Sequence, residues 1–194
     1  MVENIKASLQ ESHEALKNLM DDRQTLEKIA RAGDELVNCF KSGGRVYSCG
    51  NGGSLCDATH FAEELSGKFR KNRPPLPALA INDSAHITCT ANDFGYEEIY
   101  SRFIKAHGRK GDILLGISTS GKSNNVLEAA KTARSLGIKV VTLTGRNESP
   151  LKEFSDIDIC TPGGDFSDRV QELHIKVIHI LIEFVERKLF PANY

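Results

Sequence analysis

Hydrophobic positions in the first 40 residues recur at the three- and four-residue spacing of amphipathic helices. One stripe comprises Ile5, Leu9, Leu16 and Leu19, and a second runs from Leu26 to Phe40. This period predicts two helices. The acidic pair Asp21–Asp22 is a suitable break between them, with an N-cap for the second helix. The glycines of "SGG" at 42–44 are expected to end that helix.

After residue 44, short apolar runs alternate with helical patterns, which favours an α/β fold with a parallel sheet covered on both faces. We therefore expect a five-stranded parallel sheet flanked by helices, with two extra N-terminal helices. The chain is predicted to form one domain over 1–194, a helical pair at 1–41 followed by an α/β core at 42–194. Predicted strands lie at 45–49, 77–81, 112–117, 139–144 and 157–160, and predicted helices at about 55–65, 84–91, 96–106, 123–136 and 167–189.

Composition and charge exclude several classes of partner. The 194 residues include 25 basic and 26 acidic ones, a net charge of −1. This balance gives no reason to expect binding to nucleic acid or to an anionic membrane. No apolar run reaches the length of about 18 residues that a membrane span needs. The N-terminus lacks the pattern of a signal peptide, and the five scattered cysteines are typical of free thiols. We expect a cytoplasmic protein.

Two polar, glycine-containing turns follow predicted strands. "GNGGS" (50–54) follows the first strand and "STSGKS" (118–123) follows the third. In a parallel sheet, ligands bind beyond the carboxyl ends of the strands, so both turns are candidates for one site. Hydroxyl groups at a helix N-terminus favour phosphate binding, although a serine-rich capping turn is an alternative. The polar candidates are Asn51, Ser54, Ser118, Thr119, Ser120 and Ser123.

Both turns also resemble nucleotide motifs. "GISTSGKS" (116–123) fits G-x-x-x-x-G-K-[ST], the P-loop of ATPases. A P-loop protein also needs an aspartate that holds Mg²⁺, usually at the end of a later strand. The fourth strand ends instead in Thr144–Gly145. The dinucleotide fingerprint G-x-G-x-x-G fails because its third glycine is replaced by Leu55. Phosphate binding without a nucleotide is the better prediction.

Candidate catalytic chemistry lies on two predicted helices. His60 and Glu64 in "THFAEEL" are four residues apart, a spacing that suits zinc binding or acid–base catalysis and also an ordinary surface pair. The last helix carries two histidines. His174 falls in its apolar arc, where a core histidine is typical, and His179 falls in a polar arc. Spacing alone does not choose between them. The polar arc comprises Glu172, Lys176, His179, Glu183 and Arg187, with Gln171 at its margin.

Over nearly its whole length the chain resembles the phosphoheptose isomerases of the sugar isomerase (SIS) group. The resemblance is carried by "SCGNGGS", "CDATHFAEEL", "NRPPLPALAIND", "ANDFG", "GDILLGISTSG", "VVTLTG" and "RVQELHIKVIHILI". It implies a flavodoxin-like SIS sandwich. It also implies interconversion of sedoheptulose 7-phosphate and D-glycero-D-manno-heptose 7-phosphate, an early step toward the heptose of bacterial surface polysaccharide such as lipopolysaccharide. Members are homotetramers with sites between subunits.

By position, the resemblance assigns roles to individual residues. Glu64 matches the catalytic base and His179 the general acid. His60, Glu64, Gln171 and His179 match a site for one Zn²⁺ per subunit. Two positions depart from the family, which usually has Asn where this chain has Lys122 and often Arg where it has Lys68. The positions that match contacts to the sugar phosphate are Asn51, Gly52, Gly53, Glu64, Asn92, Asp93, Ser118, Thr119, Ser120, Ser123 and Gln171.

Two other functions are compatible with parts of the pattern. Some SIS proteins are not enzymes: they bind a sugar phosphate, or associate with the bacterial replication initiator, and lack the acid–base pair. The presence of both Glu64 and His179 favours the isomerase over this alternative. A P-loop ATPase is less favoured, since the aspartate for Mg²⁺ is missing.

Overall fold

A computed structural model describes residues 1–194, and its centre is a five-stranded sheet in which all neighbouring strands are parallel. The strand order is β2-β1-β3-β4-β5, so the order reverses between β1 and β3. This is the flavodoxin-like order, whose ligands bind at the reversal. The predicted parallel sheet is confirmed. The strands are β1 Val46–Gly50, β2 Ala78–Ala80, β3 Ile113–Ser118, β4 Lys139–Thr144 and β5 Ile157–Cys160.

Seven α-helices surround the sheet, as the alternating pattern predicts. The segment expected to be one helix at 96–106 is a 3₁₀ turn, Tyr96–Glu98, followed by a separate α-helix. None of the helices has the length and apolarity needed to cross a bilayer. The helices are α1 Val2–Asp21, α2 Arg23–Lys41, α3 Gly53–Ser66, α4 Ser84–Phe94, α5 Ile99–His107, α6 Asn124–Ser135 and α7 Ser167–Leu189.

The hydrophobic core has two parts, one on each face of the sheet. Alternate residues of a strand point to opposite faces. Ile117 of β3 accordingly packs in one part with side chains of α2, α3 and α7 such as Phe61 and Leu181. Leu114 packs in the other part with side chains of α5 and α6 such as Tyr100 and Val126. The sheet is therefore covered by helices on both faces, and α3 and α7 share one face.

The two N-terminal helices meet at the predicted break. Asp22 caps α2, because its carboxylate accepts a hydrogen bond from the backbone N–H of Thr25 at 3.1 Å. In α1, Ala15 and Leu19 are buried, whereas Ile5 is 56% and Leu9 is 66% exposed. The first half of α1 thus presents apolar side chains that no other part of this chain covers.

Candidate active site

The turn after β1 is held by a network that sequence reasoning missed. Asn51 and Asn125 form a reciprocal pair of amide hydrogen bonds, 2.9 and 2.8 Å long. The hydroxyl of Tyr96 donates to Asn51 Oδ1 at 3.1 Å, and the buried hydroxyl of Tyr100 donates to the carbonyl of Gly50. Since Asn125 lies in the first turn of α6, these bonds tie the turn after β1 to the turn after β3. The predicted convergence of the two turns is confirmed.

The turn after β3 presents hydroxyl groups beside the start of α6. Ser118 and Ser123 share a hydrogen bond of 2.9 Å, and Ser120 Oγ accepts from the backbone N–H of Lys122 at 3.2 Å. Gly121 has a φ of +63° and lies against Ser149, so a side chain there would clash. Neither α3 nor α6 has a side-chain hydrogen bond at its N-cap. Their first N–H groups are therefore suited to an anion.

Gln171 lies over the start of α3. A Cβ built on Gly53 would stand 2.7 Å from Gln171 Nε2, so the glycine makes room for this amide. Asn92 and Asp93 are exposed at the end of α4 and hydrogen-bond each other at 2.8 Å. The structure brings their segment to the site through Tyr96, which contacts Asn51. Contact of these residues with a ligand stays a prediction.

A second group of polar side chains forms where α3 faces α7. We call it the His–Glu group, and its members are His60, Glu63, Glu64 and His179. The Nε2 atoms of His60 and His179 are 2.9 Å apart, and His60 Nε2 is 3.6 Å from Glu64 Oε1. On its other side, His60 Nδ1 is 3.1 Å from Glu63 Oε1. The Glu64 side chain is only 18% exposed, so the two residues are more than a solvated surface pair. Sequence reasoning missed Glu63, although it lies between two of the predicted residues.

Burial shifts the pKa of both predicted catalytic groups. Burial, and then the neighbouring carboxylate of Glu63, raise the pKa of Glu64, while His60 lowers it. A raised pKa makes a carboxylate a stronger base. Burial, and then His60, lower the pKa of His179. Its imidazole therefore stays neutral to a lower pH than a free histidine. Burial also raises the pKa of Asp57, which lies one turn before His60 on α3, to about 6.

His174 has a different environment from His179. It is fully buried, and its Nε2 hydrogen-bonds the carbonyl of Thr144 at 3.2 Å. Burial lowers its pKa to about 4, so the ring is neutral. Its Nδ1 atom has no partner. The predicted core position of His174 is confirmed, and of the two histidines only His179 joins the group on α3.

An open cleft of about 490 Å³ runs along α3. Its lining residues are Gly52, Leu55, Cys56, Thr59, His60, Glu63 and Asn82. Gly53 lies beside Gln171 and His60 beside His179, so α3 and α7 run in the same direction. The seven residues from Gly53 to His60 span about 10 Å of helix. Gly52 of the turn after β1 and His60 both line this cleft, whereas Glu64, His179 and the turn after β3 are not among its lining residues.

Three of the four predicted metal ligands come together in this chain. Zinc binds histidine nitrogens and carboxylate oxygens at about 2.0–2.1 Å, so neighbouring ligand atoms lie about 3.4 Å apart. The two separations measured from His60 Nε2, 2.9 Å to His179 and 3.6 Å to Glu64, are close to this value. These side chains fit zinc in type, and the ligand atoms of His60, Glu63 and Glu64 all lie within 4.8 Å of one another. Gln171 lies eight residues before His179, about 12 Å along α7, and contacts Gly53 instead.

The lysine that completes the P-loop pattern lies in another cleft. Lys122 lines a depression with residues 147–150, Lys152 and Glu153. Near the ends of β4 and β5, the buried carboxylate of Asp158 accepts hydrogen bonds from Thr142 and Thr144 at 2.8 and 2.9 Å. Because these bonds occupy Asp158 Oδ1 in the core, this carboxylate is a poor candidate for holding Mg²⁺. The arrangement disfavours a nucleotide site.

Comparison with known proteins gives consistent matches. The SIS domain family model matches residues 9–145. The phosphoheptose isomerase of Yersinia enterocolitica is 51% identical over 188 residues, which cover 97% of each chain. That of Enterobacter sp. strain 638 is 53% identical over 95% of this chain and 96% of its own. The structure of the phosphoheptose isomerase from Neisseria gonorrhoeae superposes with a TM-score of 0.88 at 34% identity, covering 95% of this chain and 97% of that one.

Proposed function

We infer the activity from family membership. The chain belongs to the SIS domain family and, within it, to the phosphoheptose isomerases. It is an isomerase, and we propose that it converts sedoheptulose 7-phosphate to D-glycero-D-manno-heptose 7-phosphate. The observation that carries this proposal is the placement of anion-binding turns at the start of α3 and of Glu64 and His179 around His60, about two turns further along the same helix. An extended seven-carbon sugar phosphate spans this length of about 10 Å.

The chemistry is an aldose–ketose isomerisation. The turns after β1 and β3 hold the phosphate, so that the first two carbons lie at the His–Glu group. Glu64 removes the proton from the carbon beside the carbonyl, and His179 donates a proton to the carbonyl oxygen. Glu64 returns the proton to the neighbouring carbon of the resulting enediol, and the hydroxyl on the first carbon gives its proton back to His179, which forms the aldehyde and restores both groups. Positioned acid–base groups of this kind each contribute about 10²–10⁴-fold to the rate.

His60, Glu64 and His179 are the side chains that would hold a zinc ion here. When bound at such a site, zinc polarises a carbonyl oxygen and stabilises negative charge on it. A carboxylate held tightly by a metal is a weaker base, so Glu64 has to be loosely held while it moves the proton. Gln171, the fourth predicted ligand, reaches this group only from a neighbouring copy of the chain, since it lies about 12 Å from His179 along α7.

A homotetramer with sites between subunits is consistent with two features of the chain. The uncovered apolar positions Ile5 and Leu9 on α1 are suited to burial against another subunit. The separation of Gln171 from His179 leaves the proposed metal site short of one ligand. We place the enzyme in the cytoplasm, where it would act early in the synthesis of the heptose of a surface polysaccharide.

Incubation with sedoheptulose 7-phosphate in D₂O tests the proposed reaction. We expect formation of the aldose phosphate with deuterium at the carbon next to the carbonyl, because the abstracted proton exchanges with solvent on Glu64. Nuclear magnetic resonance of the product detects both. Binding of the sugar phosphate without turnover would instead identify a non-catalytic SIS protein. Hydrolysis of Mg-ATP by the same sample would support the P-loop alternative.

Removal of metal is expected to abolish most of the activity. The purified protein should contain about one zinc per subunit, because His60, Glu64 and His179 supply ligands of suitable type. Metal analysis before and after dialysis against a chelator, followed by assay, measures this. Zinc added back should restore the rate, whereas Mg²⁺, which prefers oxygen ligands, should not. Full activity in a sample free of zinc would contradict the proposed metal site.

A further inference from the structure

A buried ion pair connects the end of α3 with α7. Arg73 Nε lies 2.8 Å from Glu186 Oε1, and the two side chains are 1% and 0% exposed. Charged side chains are almost never so deeply buried unless they are paired. A buried pair is weak evidence for added stability, because desolvation offsets the attraction between the charges. Added stability therefore does not explain why this ion pair is buried between α3 and α7.

Arg73 holds the backbone of the residue that carries the proposed base. Its Nη2 donates to the carbonyl of Glu64 at 2.7 Å, and its Nη1 donates to Leu65 and Gly67 at 2.6 and 3.1 Å. The carbonyls in the last turn of a helix lack partners within the helix. A cation also suits the negative end of the helix dipole. The guanidinium thus fixes the end of α3 at Glu64.

Glu186 connects the same guanidinium to the helix that carries His179. The two residues are seven apart on α7, so they lie on the same face of that helix. The second carboxylate oxygen of Glu186 accepts a hydrogen bond from the hydroxyl of Tyr194 at 2.8 Å. Burial, and then this hydrogen bond, raise the pKa of Tyr194 to about 12, so it remains a donor at physiological pH. Every polar atom of the Glu186 carboxylate is therefore bonded.

We propose that Arg73 and Glu186 are positioning residues of the isomerase, which set the separation between Glu64 on α3 and His179 on α7. This inference rests on the proposed function. Both side chains are buried, so neither is available to touch the substrate. An acid and a base that flank two carbons work only within a narrow range of separations, and a displacement of about 1 Å can cost about 100-fold in rate.

Conservative variants of the pair test the proposal. Arg73→Lys keeps the charge but loses the planar fork, and Glu186→Gln keeps the shape but loses the charge. We expect kcat to fall at least about tenfold in each. KM for sedoheptulose 7-phosphate should change less than about threefold, because the Glu64 carbonyl that Arg73 binds lies about 16 Å along α3 from the phosphate turns. Glu27→Gln on α2 is the control. It removes an exposed ion pair with Arg23, and its kcat should match wild type.

A second readout separates positioning from stability and from the proposed reaction. Zinc affinity, measured by competition with a chelating dye, should fall about tenfold in Arg73→Lys, because Glu64 and His179 are both proposed ligands of the metal. If Glu186→Gln does not fold, Tyr194→Phe keeps the pair and loses one hydrogen bond, and its kcat should fall less but in the same direction. Folded Arg73→Lys and Tyr194→Phe with wild-type kcat and zinc affinity would overturn the proposal. A wild-type protein that binds zinc but does not isomerise the sugar would refute the proposed function alone.

Discussion

Replacing Glu64 with glutamine is expected to lower kcat by about 10²–10⁴-fold while the protein stays folded. The amide has nearly the same shape as the carboxylate but cannot accept the proton from the substrate carbon. The side chain is largely enclosed, with Oε1 3.6 Å from His60 Nε2, and glutamine can occupy the same space. Because the phosphate turns are separate, KM should change little. Initial rates, circular dichroism and thermal melting together measure these effects.

The control for this variant is Glu128→Gln on α6. Glu128 pairs with Lys131 on the surface of the helix, so its replacement tests the chemical change without touching the cleft. We expect wild-type turnover from it. Recovered substrate adds a sharper measurement: the Glu64→Gln variant should incorporate no deuterium from D₂O, since proton abstraction itself is lost. Turnover near the wild-type level in that variant would mean that another group is the base.

Sequence patterns predicted the fold well because local rules control most of it. Apolar runs between turn residues place the strands, and right-handed crossovers between parallel strands leave few topologies. The turns "GNGGS" and "STSGKS" were recognisable from composition, and their convergence follows from the adjacency of β1 and β3. Tertiary contacts determine which side chains meet in the candidate site. His60 and His179 are 119 residues apart, and no local pattern joins them.

Asn125 and Arg73, which sequence reasoning missed, act through such distant contacts. Asn125 pairs with Asn51 across 74 residues, and Arg73 pairs with Glu186 across 113. In the sequence, Arg73 belongs to the charged stretch "RKNRPPLP" (70–77), which suggests an extended loop stiffened by prolines. Its burial depends on the four backbone carbonyls that accept its hydrogen bonds, and their positions exist only in the folded chain.

The assignment of His179 leads to the second large expected effect. His179→Gln should lower kcat by about 10²–10⁴-fold with the fold intact. Its lowered pKa keeps the imidazole neutral at physiological pH. A neutral imidazole still carries one N–H and can donate a hydrogen bond or a proton to a carbonyl oxygen. Glutamine can donate a hydrogen bond but cannot transfer a proton. Rates measured beside zinc content distinguish loss of the proton donor from loss of a metal ligand.

The matched control is His107→Gln, since His107 is exposed at the end of α5 and takes no part in the cleft. This variant should retain wild-type turnover. If the His179→Gln protein keeps its zinc and still loses activity, proton transfer is the role that accounts for the loss. If the variant loses both zinc and activity, and saturating zinc restores the rate, His179 acts chiefly as a zinc ligand. Normal turnover without added zinc would contradict both roles, and would require another proton donor within reach of the carbonyl oxygen.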